Sequence, residues 1–177
     1  TRSYMNVLLW CTYADAARIA RCLGFSAEAE GFEAKAARTK RALFERLWDE
    51  PRGCFREALE TPAFGAEANA LALSMGLVTR EQALRIAPQF KKIGHGKFQS
   101  LMSRGKFEYG FAQSGLQAIF DHNWLKLLDP AWKGAWTTTE CMSMITKGWG
   151  DESHPDTAIA DHFSAYILGV APTEPGY

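Results

Sequence analysis

The spacing of apolar residues along the first quarter of the chain predicts two consecutive α-helices. Apolar residues recur at spacings of three and four between Met5 and Leu23, and this spacing places them on one face of a helix. They are Met5, Leu8, Leu9, Tyr13, Ala16, Ile19, Ala20 and Leu23. Gly24 is suited to end this helix, and Ser26 is suited to cap a second one over residues 27–48. A linker this short predicts an antiparallel helical hairpin.

Helical periodicity continues along the rest of the chain. The residues Thr79-Arg-Glu-Gln82 have the pattern of a capping box, which opens one of these helices. Residues 54–60 are too few for a helix and are expected to be briefly extended. Residues 91–105 hold three Gly and are expected to form a long loop, with or without a single helical turn. Further helices are predicted over residues 65–75, 79–90, 107–122, from about 138, and over 155–168. The fold class is therefore all-α, an array of antiparallel helical hairpins.

Several of these helices are apolar on more than one face. The first carries Val7 and Trp10 outside its main stripe. A helix that is apolar most of the way round is usually buried between layers, and about three hairpins offer little to cover both sides. We therefore expect the chain, which starts at Thr1 without an initiating Met, to begin in mid-structure. Expressed alone, it is expected to expose apolar surface and to self-associate, for example as a homodimer.

Composition and charge exclude several classes of protein. The net charge is zero, with 20 basic and 20 acidic residues, so there is no basic footprint for nucleic acid or for a membrane surface. No apolar run is long enough to span a membrane. The cysteines do not form a zinc-type cluster, and no metal or other cofactor is predicted. Aromatic residues make up 12% of the chain, which suits either a large core or a sugar-binding cleft.

Five local patterns follow one another along the chain and together carry a resemblance. They lie in residues 6–24, 47–56, 67–77, 136–140 and 153–177. In this order they resemble the C-terminal half of the (α/α)6 barrel of family-78 α-L-rhamnosidases. The resemblance implies that residues 1–170 form part of such a barrel, of about three hairpins. It also implies that residues 171–177 lead toward a C-terminal β-domain.

The resemblance further implies an enzyme that hydrolyses terminal α-L-rhamnosides with inversion. The segment Trp136-Thr-Thr-Thr-Glu140 is similar to the motif that carries the catalytic base, which makes Glu140 the candidate catalytic residue. In the family an apolar residue and a Trp intervene before this Glu, and a Gly-Trp-Ser follows the histidine that corresponds to His154; both features differ here. The family's general acid lies in the half of the barrel that precedes this chain. The chain by itself is therefore expected to be inactive.

Each candidate site residue also has a purely structural interpretation. Glu140 with Thr137 forms a capping-box pattern that needs no chemistry, although the first turn of a helix also keeps a carboxylate ionised. His154 is the candidate for hydrogen bonding to a sugar hydroxyl, or a loop histidine bonded to backbone. Four aromatic residues are candidates for lining the sugar site, or pack in the core: Trp136, Trp149, Tyr109 and Phe107. Asp151 and Glu152 are candidates for a second carboxylate, or belong to a solvated loop, and His162 is expected to be structural.

Two other functional hypotheses remain open. The chain could belong to another (α/α)6 hydrolase, such as a glucoamylase-like enzyme or an unsaturated glucuronyl hydrolase. It could instead be a non-catalytic helical module that binds a sugar or a protein. Helical hairpins alone do not separate these hypotheses, because function resides in the site.

Overall fold

The computed structural model describes residues 2–90, 96–121 and 160–171, and the chain divides into two compact units, residues 1–90 and 91–177. The described residues are mostly helical, with one two-stranded sheet, so the prediction of an all-α fold is confirmed. Within these residues no helix combines the length and the apolar character needed to cross a lipid bilayer.

The first unit opens with the predicted helical hairpin, formed by α1 (Ser3–Cys22) and α2 (Ser26–Leu47). Gly24 has a φ of +81° and ends α1. Its N–H donates to the Arg21 carbonyl at 3.1 Å, and the Phe25 N–H donates to the Ala20 carbonyl at 2.8 Å. These two bonds form a Schellman motif. The prediction that Ser26 caps α2 was wrong, because Ser26 is already helical and Phe25 occupies the cap without a side-chain hydrogen bond.

The apolar stripe of α1 is only partly covered within the unit. Its exposed members are Met5, Leu9, Ile19 and Leu23, whereas Leu8, Tyr13 and Ala16 are half-buried and Ala20 is buried. The buried residues of α1 are Ser3, Val7, Ala17 and Ala20, and the helix contacts both α2 and α3 (Ala66–Ser74). Most of these buried side chains are small, which lets neighbouring helix backbones approach closely.

A short β-hairpin follows α2. The strands β1 (Trp48–Asp49) and β2 (Cys54–Phe55) pair antiparallel, with Trp48 opposite Phe55, which confirms a brief extended segment after residue 53. Gly53 adopts a φ of +69° in the turn, and a Cβ atom there would fall on the side chain of Arg85. Glycine is therefore required at this turn by both the backbone conformation and the available space.

The remaining helices of the first unit begin where the sequence predicts. Every residue of α3 from position 68 to 74 is buried. The helix α4 (Arg80–Ile86) starts at Thr79 with the predicted capping box. It ends at Ile86 rather than near residue 90, because Pro88 has no N–H with which to continue the hydrogen-bond ladder.

The described part of the second unit holds a second helical hairpin, formed by α5 (Gly96–Glu108) and α6 (Ala112–Asp121). Two predictions were wrong here: residues 96–105 are helical rather than a loop, and Gly110 divides the helix predicted over 107–122. The buried face of α5 carries polar residues, so apolar periodicity did not reveal it. They are Gln99, Ser100, Ser103 and Lys106.

The last described helix begins as α7 (Ala160–His162) and continues as a π-helical turn (Phe163–Ile167). A helix was predicted over 155–168, and its described part is helical. The wider turn ends at Gly169, whose φ is +71°. Two hydrogen bonds join Ser164 to Val170 at this end of the helix. The Ser164 carbonyl accepts the Val170 N–H at 2.8 Å, and the Ser164 hydroxyl donates to the Val170 carbonyl at 2.8 Å.

Candidate functional site

Most of the predicted site lies outside the described residues. This applies to the candidate base Glu140, and to Trp136, Trp149 and His154, which were predicted to bind substrate. It applies equally to Asp151 and Glu152, and to the motif 136–140. Their roles stay predictions.

Tyr109 is one of two candidate sugar-binding residues that the structure describes, the other being Phe107. Tyr109 follows the last residue of α5 and is half-buried. Its ring stacks on that of Phe111, with the centroids 6.5 Å apart and the planes inclined by 20°. Since this stacking holds the ring beside the turn at Gly110, the ring is oriented by its neighbour and retains partly accessible surface.

Phe107 packs within the protein. Its ring lies parallel to that of Tyr166, with 5.0 Å between centroids, and a Cβ atom at Gly115 would approach it to 3.1 Å. One face of the Phe107 ring is therefore covered by Tyr166, and α6 packs closely against the ring at Gly115. This geometry favours the core-packing interpretation of Phe107 over the sugar-stacking one.

His162 is almost fully buried beside these rings, as expected for a structural residue. Its Nε2 lies 2.9 Å from the Ser100 carbonyl oxygen, so this nitrogen donates to that acceptor. Its Nδ1 lies 2.7 Å from a carboxylate oxygen of Asp161. Nearby, the Tyr166 hydroxyl donates to Glu108, and burial together with this contact raises the pKa of Tyr166 to about 12.

A pocket of about 280 Å³ lies between α1 and α2 in the first unit. Its walls are largely apolar, and the guanidinium-bearing residues Arg38 and Arg46 also line it, two turns apart on α2. Among the described residues neither arginine forms an ion pair. The remaining lining residues are Asn6, Leu9, Thr39, Ala42, Leu43, Leu47 and Leu59.

This pocket has the chemistry to bind a small anion that carries an apolar or hydroxylated body. Guanidinium groups recognise carboxylates and phosphates through paired hydrogen bonds. The sequence analysis did not identify it, although a signal was present: residues 38, 42 and 46 and residues 39, 43 and 47 form two adjacent rows of one helix face.

The β-hairpin carries a cluster of ion pairs. The Asp49 carboxylate accepts the Arg52 backbone N–H at 3.0 Å and pairs with Arg56 at 3.0 Å, and these contacts lower its pKa. Arg85 lies 2.6 Å from the Glu50 carboxylate and lowers its pKa. A general acid requires a raised pKa, so neither carboxylate suits that role.

A buried amide joins this hairpin to α3. The Asn69 Oδ1 accepts the Phe55 N–H at 2.9 Å, and its Nδ2 donates to the carbonyls of Phe55 at 2.9 Å and Gly65 at 2.8 Å. Asn69 is completely buried. Its role was not predicted, but an Asn within an otherwise apolar helix indicates a polar group that must find partners inside the protein.

No group of three or more potential metal ligands occurs within the described residues. The structure therefore supplies no candidate metal centre in this part of the chain.

Comparison with known protein families identifies a family model that matches the chain. The model of the mannosylglycerate hydrolase MGH1-like glycoside hydrolase domain matches residues 1–93, just over half of the 177 residues. The fold and this match define a glycoside hydrolase domain. More particularly, the chain belongs to the MGH1-like glycoside hydrolase domain family. Among curated proteins, none matches it.

The match confirms the class of protein that the sequence motifs predicted. A glycoside hydrolase domain implies a carbohydrate substrate. The matched region includes three of the five motifs that carry the resemblance: residues 6–24, 47–56 and 67–77. The other two motifs lie beyond the match.

Proposed function

We propose that this chain is part of an inverting glycoside hydrolase and that Glu140 is its general base. The observation that carries the proposal is the glycoside hydrolase match over residues 1–93, followed in order by the motif at residues 136–140. We further propose that residues 1–170 contribute to an (α/α)6 barrel and that residues 171–177 lead toward a β-domain. The all-helical hairpins of both units support this architecture.

In an inverting mechanism a carboxylate removes a proton from water while a carboxylic acid protonates the leaving oxygen. Glu140 takes the first role. Its predicted place in the first turn of a helix stabilises the ionised carboxylate that a base requires. Trp136, Trp149 and Tyr109 are proposed to offer aromatic faces to the sugar, and His154 to donate a hydrogen bond to a hydroxyl. No residue of this sequence is proposed as the general acid.

The first proposed substrate class is a terminal α-L-rhamnoside. An aryl α-L-rhamnoside is incubated with this chain, with any longer natural polypeptide that contains it, and with the Glu140→Gln form of each. The active form is expected to lose at least about 100-fold in rate with Glu140→Gln, since general base catalysis typically contributes 10²–10⁴-fold. Equal rates would contradict the assignment of Glu140. Sugar binding without hydrolysis by every form would favour the non-catalytic module.

The second proposed substrate class is a glycoside with a carboxylate, such as mannosylglycerate, the compound in the family's description. The arginines of the α1/α2 pocket support this candidate, because they can pair with a carboxylate. The double substitution of Arg38 and Arg46 to Gln is expected to weaken mannosylglycerate binding more than 10-fold. Arg41→Gln, on the same helix but outside the pocket, serves as the control. Equal affinities in the two variants would refute the role of the pocket.

A further inference from the structure

Arg52, in the turn of the β-hairpin, is an exposed arginine whose backbone and side chain are both held in place. Its N–H donates to the Asp49 carboxylate at 3.0 Å, and its carbonyl accepts the side-chain amide of Gln89 at 2.8 Å. Its guanidinium lies over the ring of Phe64, with the central carbon 4.3 Å from the ring centroid. These three contacts fix the direction in which the charged group points.

The guanidinium of Arg52 is the unpaired cation of the ion-pair cluster at the β-hairpin. Asp49 pairs with Arg56 at 3.0 Å, and Glu50 pairs with Arg85 at 2.6 Å. Three arginines thus share two carboxylates, and each carboxylate already has an arginine of its own. Within the described residues the Arg52 guanidinium forms no ion pair. The cluster therefore keeps one positive charge that can bind an anion.

An aromatic ring beneath a guanidinium prepares that group to bind a carboxylate. Stacking uses the flat face of the guanidinium, so the N–H groups at its edge remain available for two parallel hydrogen bonds. A planar carboxylate matches these two donors in both shape and charge. Because Arg52 is already oriented, less side-chain entropy is lost on binding than for a freely moving arginine. We propose that Arg52, stacked on Phe64, binds the carboxylate of an acidic sugar.

This site extends the proposed function, on which it rests. A glycoside hydrolase domain implies a carbohydrate ligand, and the family's description names a sugar compound that carries a carboxylate. Arg52 is not among the residues that line the α1/α2 pocket. The carboxylate site at the β-hairpin can therefore be tested separately from that pocket.

The position of Arg52 leaves it accessible in a complete barrel. The β-hairpin follows the last residue of α2, and Gln89 follows the end of α4. Arg52 therefore lies beyond the C-terminal ends of two helices rather than on the side of either one. Helices pack against one another along their sides, so hairpins that precede residue 1 would cover helix sides. The connections at the helix ends stay open to a ligand.

An NMR titration of the Arg52 side chain tests the proposal directly. The Nε–H signal of Arg52 is assigned from its loss in Arg52→Gln, and the chain is titrated with D-glucuronate at low ionic strength. The signal is expected to shift and to saturate. The uncharged methyl ester of D-glucuronate is expected to leave the signal in place. Inorganic phosphate is the third probe, and binding more than about 10-fold tighter than that of D-glucuronate would overturn the carboxylate assignment.

Three variants test the stacked geometry by ligand-observed NMR with D-glucuronate. Arg52→Lys keeps the charge but lacks the planar pair of donors, so it is expected to weaken binding at least about 10-fold. Phe64→Leu removes the ring beneath Arg52 and is expected to weaken binding about 3-fold. Arg41→Gln is the matched control, because Arg41 is an exposed arginine of α2 outside the cluster, and it is expected to bind as the wild type does. Far-UV circular dichroism checks that all three are folded.

An Arg52 signal that does not move with D-glucuronate would overturn the proposal, as would equal affinities in Arg52→Lys and Arg41→Gln. Both readouts measure binding, whereas the role of Glu140 is tested by rates of hydrolysis. A failure at Arg52 is therefore distinguishable from a failure of the proposed catalytic function.

Discussion

Replacement of Asn69 by Ala tests whether one buried amide holds the β-hairpin against α3. The substitution removes three hydrogen bonds and leaves both the N–H and the carbonyl of the buried Phe55 without their Asn69 partner. An unsatisfied buried polar group costs about 1–3 kcal/mol. Two such groups and a small cavity give an expected loss of about 3–5 kcal/mol in the free energy of unfolding.

The measurement is urea denaturation followed by circular dichroism at neutral pH. Asn6→Ala is the matched control, because the Asn6 amide makes one hydrogen bond, to the Arg2 carbonyl at 2.8 Å, and is less buried. It is expected to cost less than about 1 kcal/mol. If Asn69→Ala destabilised the chain no more than this control, the hydrogen bonds of Asn69 would not be the main link between β2 and α3.

The substitution Asn69→Asp keeps the volume of the side chain but changes its hydrogen bonding, so it separates these two contributions to stability. An aspartate keeps the acceptor for the Phe55 N–H but points a second oxygen at two carbonyl groups, which disfavours its ionised form and raises its pKa. The variant is therefore expected to lose least stability at low pH and progressively more as the pH rises through the raised pKa. A pH-independent difference from the wild type would refute this explanation.

Three further outcomes are expected. Burial raises the pKa of the Cys11 thiol to about 11, so about one in 1,000 of these thiols is ionised at pH 8. Mass-spectrometric mapping after brief alkylation should show the exposed Cys22 modified before Cys11, and the opposite order would contradict the assignment. The pKa of Tyr166 is about 12 in the folded chain against about 10 unfolded, so its stabilising contribution is complete below pH 10 and is lost as the pH rises through 12. The stability advantage of the wild type over Tyr166→Phe should therefore shrink over this range in alkaline urea denaturation. Gly53→Ala should cost about 2 kcal/mol in urea denaturation, because it strains a left-handed backbone and displaces Arg85; a loss below about 0.5 kcal/mol would refute this.

The sequence predicted elements that are encoded by neighbouring residues. Gly24 correctly marks the end of α1, and Thr79 with Gln82 correctly opens α4. In each case the signal acts within a few residues of backbone, so tertiary contacts do not alter it.

Features that depend on distant residues were predicted less well. The buried side of α1 is decided by its contacts with α2 and α3, and four large residues of its apolar stripe remain exposed. The helix α5 was missed because its buried face is polar: Gln99 donates to the Ala118 carbonyl of α6, a partner 19 residues away. For the candidate site, the order of the motifs predicted the class of enzyme, a glycoside hydrolase. The pocket with Arg38 and Arg46 was not predicted, because it forms only where α1 packs against α2.

Within the part of the chain that the structure describes, three helices end with the same arrangement. As in α1, the residues after α3 and α5 close with paired bonds around Gly76 and Gly110. Each stop is specified by about six consecutive residues, so it can form as soon as that stretch of chain exists, without waiting for a neighbouring helix. The α1/α2 hairpin, whose contacts join residues close in sequence, is thus suited to form early in folding. Its early formation would present a preformed surface on which the later helices of the first unit can pack.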